Sequence, residues 1–274
     1  MIPPCRYHQE NPEYLLFNID TEKGVVSKFN RVNKELIIRS NSSAVDFALL
    51  KDGKLIELNK EVDNNKFSVG DIYAAKIRKP ISGLNAAFVG VGHEKDGFLH
   101  YHDLGPNLTT LLKFFKLVSS GRTKNYSLKN FRFEKEIPKD GSIQDYLKPQ
   151  QQILVQIVKE PISTKGPRVS SELSLAGRFM VLIPFSDRIS ISQKIESNAE
   201  KSRLKKLVKS IRPKGFGVII RTVAKDQKVK ELDADLNQLL DRWKNLCEKF
   251  VKVDQYPTKI LSEINRSSSI LRDI

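Results

Sequence analysis

The stretch Lys165–Pro184, KGPRVSSELSLAGRFMVLIP, decides how this chain is read, because it carries a basic turn into an apolar strand with a glycine in between. Lys165, Gly166, Pro167 and Arg168 place two cations in a turn, which suits a polyanion laid against exposed backbone. The run Phe179-Met180-Val181-Leu182-Ile183 is continuously apolar, the pattern of a strand buried on both faces. Gly177, just before it, marks a position where no side chain is tolerated. A second run, Gly217-Val218-Ile219-Ile220-Arg221-Thr222-Val223-Ala224, is another buried strand that delivers an arginine and a hydroxyl at its end. Arginine and threonine beside a backbone amide make a pocket for one terminal phosphate.

Working outward, the chain also carries Gly-Asp-Ile-Tyr at 70–73 and Leu-Asn-Ala-Ala-Phe-Val-Gly-Val-Gly-His-Glu-Lys-Asp-Gly-Phe-Leu at 84–99. These segments, in this order, resemble the ribonuclease E/G family of bacterial RNA-processing endonucleases, over about Glu35 to Val251. The resemblance implies an α+β chain: an OB-fold RNA-binding barrel inserted beside a partial RNase H-like hairpin, followed by an α/β sensor for the 5′-monophosphate of RNA. It implies that Arg221 and Thr222 hold that phosphate, and that Gly177 and Val181 shape the pocket beside the terminal nucleotide. Phe88, Phe98 and Lys165 become the RNA-facing surface of the barrel, with Arg168, Arg178 and Lys194 as secondary phosphate contacts. Plainer readings stand beside these. Arg221 could pair with a surface carboxylate, the two phenylalanines could be barrel core, and the secondary cations could be solvated charge.

Composition agrees with a polyanionic partner. The 274 residues hold 47 Lys and Arg against 32 Asp and Glu, a formal charge of +15 that attracts nucleic acid or an anionic membrane. Apolar runs such as Phe179–Ile183 are far shorter than the roughly 20 residues that span a bilayer, so no membrane anchor is expected. The N-terminal MIPPCRYHQENPEY has no apolar segment before a small-residue cleavage site, and Cys5 and Cys247 suit a reducing compartment. The expectation is a cytoplasmic protein.

The punctuation of the chain divides it further. Residues 1–34 show no clear periodicity and read as an extension. Residues 35–66 read as the hairpin, with strands at Leu36–Ile38, Val45–Leu50 and Leu55–Leu58 and a tight turn at Asp52-Gly53. Residues 67–171 read as the barrel, of the ribosomal-protein S-one type, interrupted by an insertion at 103–148. There Lys113, Lys116, Arg122, Lys124, Lys129 and Arg132 interleave with Phe114, Phe115, Tyr126, Phe131 and Phe133. Two readings fit this insertion: a surface that stacks bases and meets phosphates, or a mobile loop whose aromatics pin it to the barrel.

Residues 172–255 read as the sensor. Ser197 and Glu200 form a capping box ahead of one amphipathic helix, and a second helix runs from about Val229 to Val251 with an apolar stripe facing the core. Residues 256–274 read as the start of a linker. The run His100-Tyr101-His102-Asp103 is a poor metal site, because successive strand residues point to opposite faces.

The family resemblance also implies two magnesium-binding aspartate segments and a later zinc-sharing cysteine pair, and neither is found in these 274 residues. No cofactor is therefore expected on this chain, with magnesium belonging to the complete family enzyme. Carboxylates such as Asp71, Asp103 and those between Asp226 and Asp241 read as solubilising surface charge. The chain is expected to be the monomeric recognition half of an endoribonuclease, with a 5′-monophosphorylated single-stranded RNA as partner. A stand-alone, non-catalytic RNA-binding module is the alternative.

Overall fold

The computed structural model describes residues 14–18, 34–40, 44–62, 67–123 and 126–263, and the chain separates into two compact units, one before Phe67 and one over Phe67–Glu263. The first unit is an antiparallel sheet of β1 (Tyr14–Asn18), β2 (Lys34–Ser40), β3 (Ala44–Lys51) and β4 (Lys54–Val62), in that order. Asp52 and Gly53 both take positive φ (51° and 74°), the two-residue turn whose twist matches the flanking strands. Leu36, Ile38 and Phe47 are buried together on one face, as a period of two requires. The edge strand β4 leaves Leu55, Ile56 and Leu58 each more than half exposed. Strand β1 falls in residues that showed no clear periodicity and read as an extension. Its Tyr-Leu-Leu-Phe run lacks the alternation that announces a strand, and pairing with β2 supplies the order that local pattern does not.

The second unit begins with β5 (Ile72–Ile81), β6 (Ala86–Gly90), β7 (Gly97–His100), β8 (Gln152–Lys159) and β9 (Arg168–Ser170). Neighbours run β5-β6-β7-β9-β8, and β8 pairs back onto β5, so the five strands close into a barrel. Every pairing is antiparallel except β7 with β9. This closed, OB-like barrel is filled by Tyr73, Ala75, Ile77, Ala87, Val89, Leu99, Val155, Ile157 and Val169.

The insertion is more than a loop pinned to the barrel, and it packs part of its length into the core of the second unit. Its helix α1 (Leu108–Ser119) buries Leu111, Phe114, Phe115 and Val118, the i, i+3, i+4, i+7 stripe of a core-facing helix. The Phe114 ring meets Phe131 and Phe185, each with centroids 5.3 Å away, and Trp243 at 5.7 Å. Phe115 meets Phe250 at 4.8 Å, and Trp243 Nε1 donates to the Tyr126 carbonyl at 2.9 Å. Interleaved cations made these rings look like a nucleic-acid surface, yet helical geometry turns most of the aromatics inward.

Beyond the barrel, β10 (Leu175–Ala176), β11 (Met180–Pro184), β12 (Ile189–Ile191) and β13 (Phe216–Ile220) form a second sheet in the order β10-β11-β13-β12. Helix α2 (Asn198–Ile211) connects the parallel pair β12 and β13, a short βαβ unit. Helix α3 (Val229–Val251) lays Leu232, Leu236, Leu239, Trp243 and Leu246 into the core. Strand β11 corrects one expectation: Met180, Leu182 and Pro184 are buried while Val181 and Ile183 are only half-buried. A continuous apolar run does not say whether both faces are covered, and here one is partly open.

Finally, β14 (Thr258–Leu261) pairs antiparallel with the start of β5, within residues expected to be a linker. The buried Asp71 carboxylate fastens it, taking Lys259 Nζ at 2.6 Å and the Glu263 amide at 3.0 Å. Asp71 is therefore a structural anchor and not surface charge. Ile72, Ala74 and Leu154 of the barrel share one hydrophobic cluster with α1, α3 and the second sheet, so the segments 67–171 and 172–255 have a common core. The rest of the expected linker, 264–274, lies outside the described residues. Among the described residues no helix is long and apolar enough to cross a membrane.

Candidate functional site

Arg221 follows the last residue of β13, and its amide donates to the Phe179 carbonyl at 2.8 Å, which continues the β11–β13 ladder by one step. Its Nη1 reaches the Gly177 carbonyl at 2.9 Å. The turn at 177–180 is itself held from behind by α3. The Asp235 carboxylate accepts from the amides of Arg178 (2.9 Å), Phe179 (2.9 Å) and Met180 (3.1 Å). A β-carbon on residue 177 would stand 2.7 Å from both Asp235 oxygens, so glycine is required there by space. Asp235, buried in a helix whose carboxylates read as surface charge, was missed in sequence. Its only signal is its place among the apolar positions Leu232, Leu236 and Leu239 on the buried face.

Thr222 is exposed and begins a single helical turn, Thr222–Ala224, with its Oγ1 2.9 Å from Ser192 Oγ. Lys194 lies exposed in the turn that Ser192 opens, where the Ile195 amide donates to the Ser192 carbonyl at 3.2 Å. Val181 pairs across the sheet with Ile219, and both belong to the partly open face. Phe179 stands beside this group with the Arg178 guanidinium 5.4 Å from its ring centroid. The structure thus brings Arg221, Gly177, Val181 and Thr222 to one end of the β11–β13 pair, adding Ser192 and Phe179.

A second brace lies just beyond Thr222. The Glu200 carboxylate accepts from Arg203 Nε (2.6 Å) and Nη2 (2.7 Å) and from the Asp226 amide (2.9 Å), and Arg203 donates to the Gln227 carbonyl. The expected capping box is therefore half made: Ser197 Oγ takes the Glu200 amide, but the Glu200 side chain turns to Arg203 and the 226–227 loop. Chiefly the Arg203 hydrogen bonds, and then the Asp226 amide, hold the Glu200 carboxyl down at about 2.

On the barrel, Phe88 and Phe98 are cross-strand partners with ring centroids 6.1 Å apart. Their neighbours Ala87, Val89 and Leu99 point inward, and the two rings, half-buried, stand outside the barrel core. Lys165 is exposed in a turn closed by reciprocal backbone bonds with Ile162, 3.0 and 3.2 Å long. Arg168 is held by a carboxylate. Its Nε and Nη2 form a two-pronged pair with Asp103, 2.8 and 3.0 Å, so it braces β9 against the segment after β7. Asp103, read as surface charge, is the partner in that brace.

The ribonuclease E/G family model matches residues 174–274, which begins at the strands that carry Gly177 and Arg221. The chain is 35% identical over 214 residues to ribonuclease E of Synechocystis sp., covering 78% of this chain and 28% of that protein. It is 32% identical over 241 residues to ribonuclease G of Haemophilus influenzae, covering 87% of this chain and 45% of the relative. With ribonuclease G of Escherichia coli K12 the identity is 29% over 239 residues, with the same coverage, 87% and 45%. The chain belongs to the ribonuclease E/G family. It spans less than half the length of these ribonuclease E and G relatives. Among the described residues no three His, Cys, Asp or Glu side chains converge as metal ligands.

Proposed function

We propose that this chain is the RNA-recognition part of a ribonuclease E/G family endoribonuclease. It holds the 5′-terminal monophosphate of a single-stranded RNA at Arg221 and Thr222, while Gly177 and Val181 line the pocket beside the first nucleotide. The observation that carries this reading is the turn at 177–180, fixed from behind by Asp235 and met in front by Arg221. A phosphate pocket gains from a preorganised guanidinium, a hydroxyl and backbone amides held in place before the ligand arrives. The paired rings of Phe88 and Phe98 offer sequence-tolerant stacking for bases, with Lys165 as a phosphate contact beside the barrel and Lys194 beside the sensor pocket. Arg168 supports this surface through Asp103. The sheet β1–β4 is the partial RNase H-like element of the family. Hydrolysis, a magnesium-dependent step in the family, is assigned to none of the residues described here.

The test is fluorescence anisotropy with a short A/U-rich RNA carrying a 5′-monophosphate or a 5′-hydroxyl. The monophosphate form should bind roughly ten- to a hundredfold more tightly, the size of one or two charge-assisted contacts. Thr222→Val and Arg221→Lys should each shrink the difference while the circular dichroism spectrum stays that of wild type. Equal affinity for the two ends would sink the sensor reading.

A further inference from the structure

At the other end of β13 from Arg221, the inserted segment meets the turn between α2 and β13. Gly215, just before that strand, takes φ of 88°, and a β-carbon there would stand 2.6 Å from the Leu128 β-carbon and 3.3 Å from Phe133 Cζ. This close approach leaves a cleft of about 490 Å³ beside it, whose lining includes Phe131, Phe133, Lys129, Arg212 and Lys214. A strand rise of about 3.3 Å per residue puts Gly215 roughly 20 Å from Arg221, too far for one phosphate to reach both.

The lining has the chemistry of a nucleotide site. Two half-buried rings, 6.3 Å between centroids, present apolar edges and faces to the cleft. Three cations stand against one carboxylate, Asp187. Arg212 is the unusual member: its side chain is only 13% exposed, its Nη1 serves the Phe216 carbonyl and, at 3.4 Å, Asp187. Its Nε has no hydrogen-bond partner among the described residues. A buried donor on a cation is costly when left unmade, and an anion in the cleft would lie against the same incompletely paired guanidinium. The Gly215 amide, whose contact with Asp187 is long at 3.3 Å, is a second donor at the same rim. A volume of this size falls within the range of small-ligand pockets.

We propose that this cleft binds one nucleotide, its base against Phe131 and Phe133 and its phosphate against Arg212, Lys214 and Lys129. The ligand class is a nucleobase joined to a phosphate, whether a free nucleotide or one unit of an RNA strand. The site is independent of the 5′-end pocket and would stand if that reading fell.

The test is amide and arginine Nε chemical-shift mapping on the full chain, with separate titrations of inorganic phosphate, adenosine 5′-monophosphate and a single-stranded decaribonucleotide bearing a 5′-hydroxyl. The Gly215 amide and Arg212 Nε should shift with the mononucleotide, the oligonucleotide or both, and inorganic phosphate should move them much less. Shifts with the oligonucleotide alone identify an RNA strand as the source, and shifts with both admit a free nucleotide. Lys129→Ala with Lys214→Ala, at two exposed positions, should weaken binding roughly tenfold. Phe133→Leu, which keeps an apolar contact with Phe185, should weaken it roughly fivefold or more through the lost stack. Unchanged Gly215 and Arg212 signals with every ligand would overturn the proposal. So would equal shifts from inorganic phosphate, which would leave an anion site only. Signals moving at Gly177 and Thr222 alone would support the 5′-end pocket and reject this one.

Discussion

The Asp235 carboxylate fills the space that a β-carbon on residue 177 would need, with both of its oxygens 2.7 Å from that position. Because those oxygens also accept the amides of residues 178, 179 and 180, helix α3 dictates the conformation of the turn that Arg221 touches through the Gly177 carbonyl. The arginine proposed to meet the phosphate is thus braced through a turn that a distant helix holds.

Removing that carboxylate should cost stability well beyond a surface change. Asp235→Ala leaves buried amides without acceptors, and a loss of about 3 kcal/mol in urea denaturation is expected. Asp235→Asn keeps one acceptor oxygen and should lose less. Gly177→Ala forces the same carboxylate aside and should resemble Asp235→Ala in both stability and 5′-end discrimination. A cost under about 1 kcal/mol for Asp235→Ala would mean that the turn holds itself.

Much of this was legible in sequence because it depends on local pattern. The Asp52-Gly53 turn, the span of α3 and the closeness required at Gly177 all follow from period, turn chemistry and glycine placement. What escaped depends on long-range partners. Asp71, Asp103 and Asp235 look like ordinary surface carboxylates until Lys259, Arg168 and the 178–180 amides arrive from distant parts of the chain. The aromatics of the insertion misled for the converse reason: lysines beside Phe114 and Phe115 suggest a nucleic-acid surface, while the helix turns those two rings into the core and the cations outward. The one-sided burial of β11 could not be read from Phe179–Ile183 either, since apolarity at consecutive positions carries no record of which face a neighbour covers.

Phe88 and Phe98 lie outside the barrel core, so truncating them should separate binding from folding. Each change to Ala is expected to weaken single-stranded RNA binding by about 1 to 3 kcal/mol. Far-ultraviolet circular dichroism and the unfolding midpoint should stay close to wild type. Loss of the folded spectrum in either variant would place the ring in the core. Retained affinity in both would take the barrel face out of the binding surface.

The two-pronged pair of Arg168 with Asp103 predicts strong non-additivity. Arg168→Ala, Asp103→Ala and the double variant should all lose a similar amount of stability, since each removes the same brace between β9 and the segment after β7. Arg168→Lys keeps the charge but not the fork, and should recover only part of it. If Arg168→Ala leaves stability untouched and instead lowers the salt dependence of RNA binding by about one phosphate contact, the arginine faces the ligand after all.

Glu200 gives the region around Thr222 a defined acid sensitivity. Its carboxyl is held at about 2, below the ordinary value of 4.5, by Arg203 and by the Asp226 amide. A carboxyl depressed in the folded state contributes stability that is complete above its unfolded value and fades as pH falls toward the folded one. The contribution of Glu200 should therefore be full near neutral pH, shrink between about pH 4.5 and about pH 2, and be absent below. Many carboxylates titrate in that window, so the quantity to follow is the difference between wild type and Glu200→Gln. Urea denaturation at several pH values should show that difference narrowing on acidification, with hydrogen exchange at the Asp226 amide accelerating in parallel, because that amide donates to the same carboxylate. A difference that stays constant down to pH 3 would show that the ionised Glu200 does not hold the 226–227 loop, and the brace behind Thr222 would have to be sought in Arg203 and Gln227 alone.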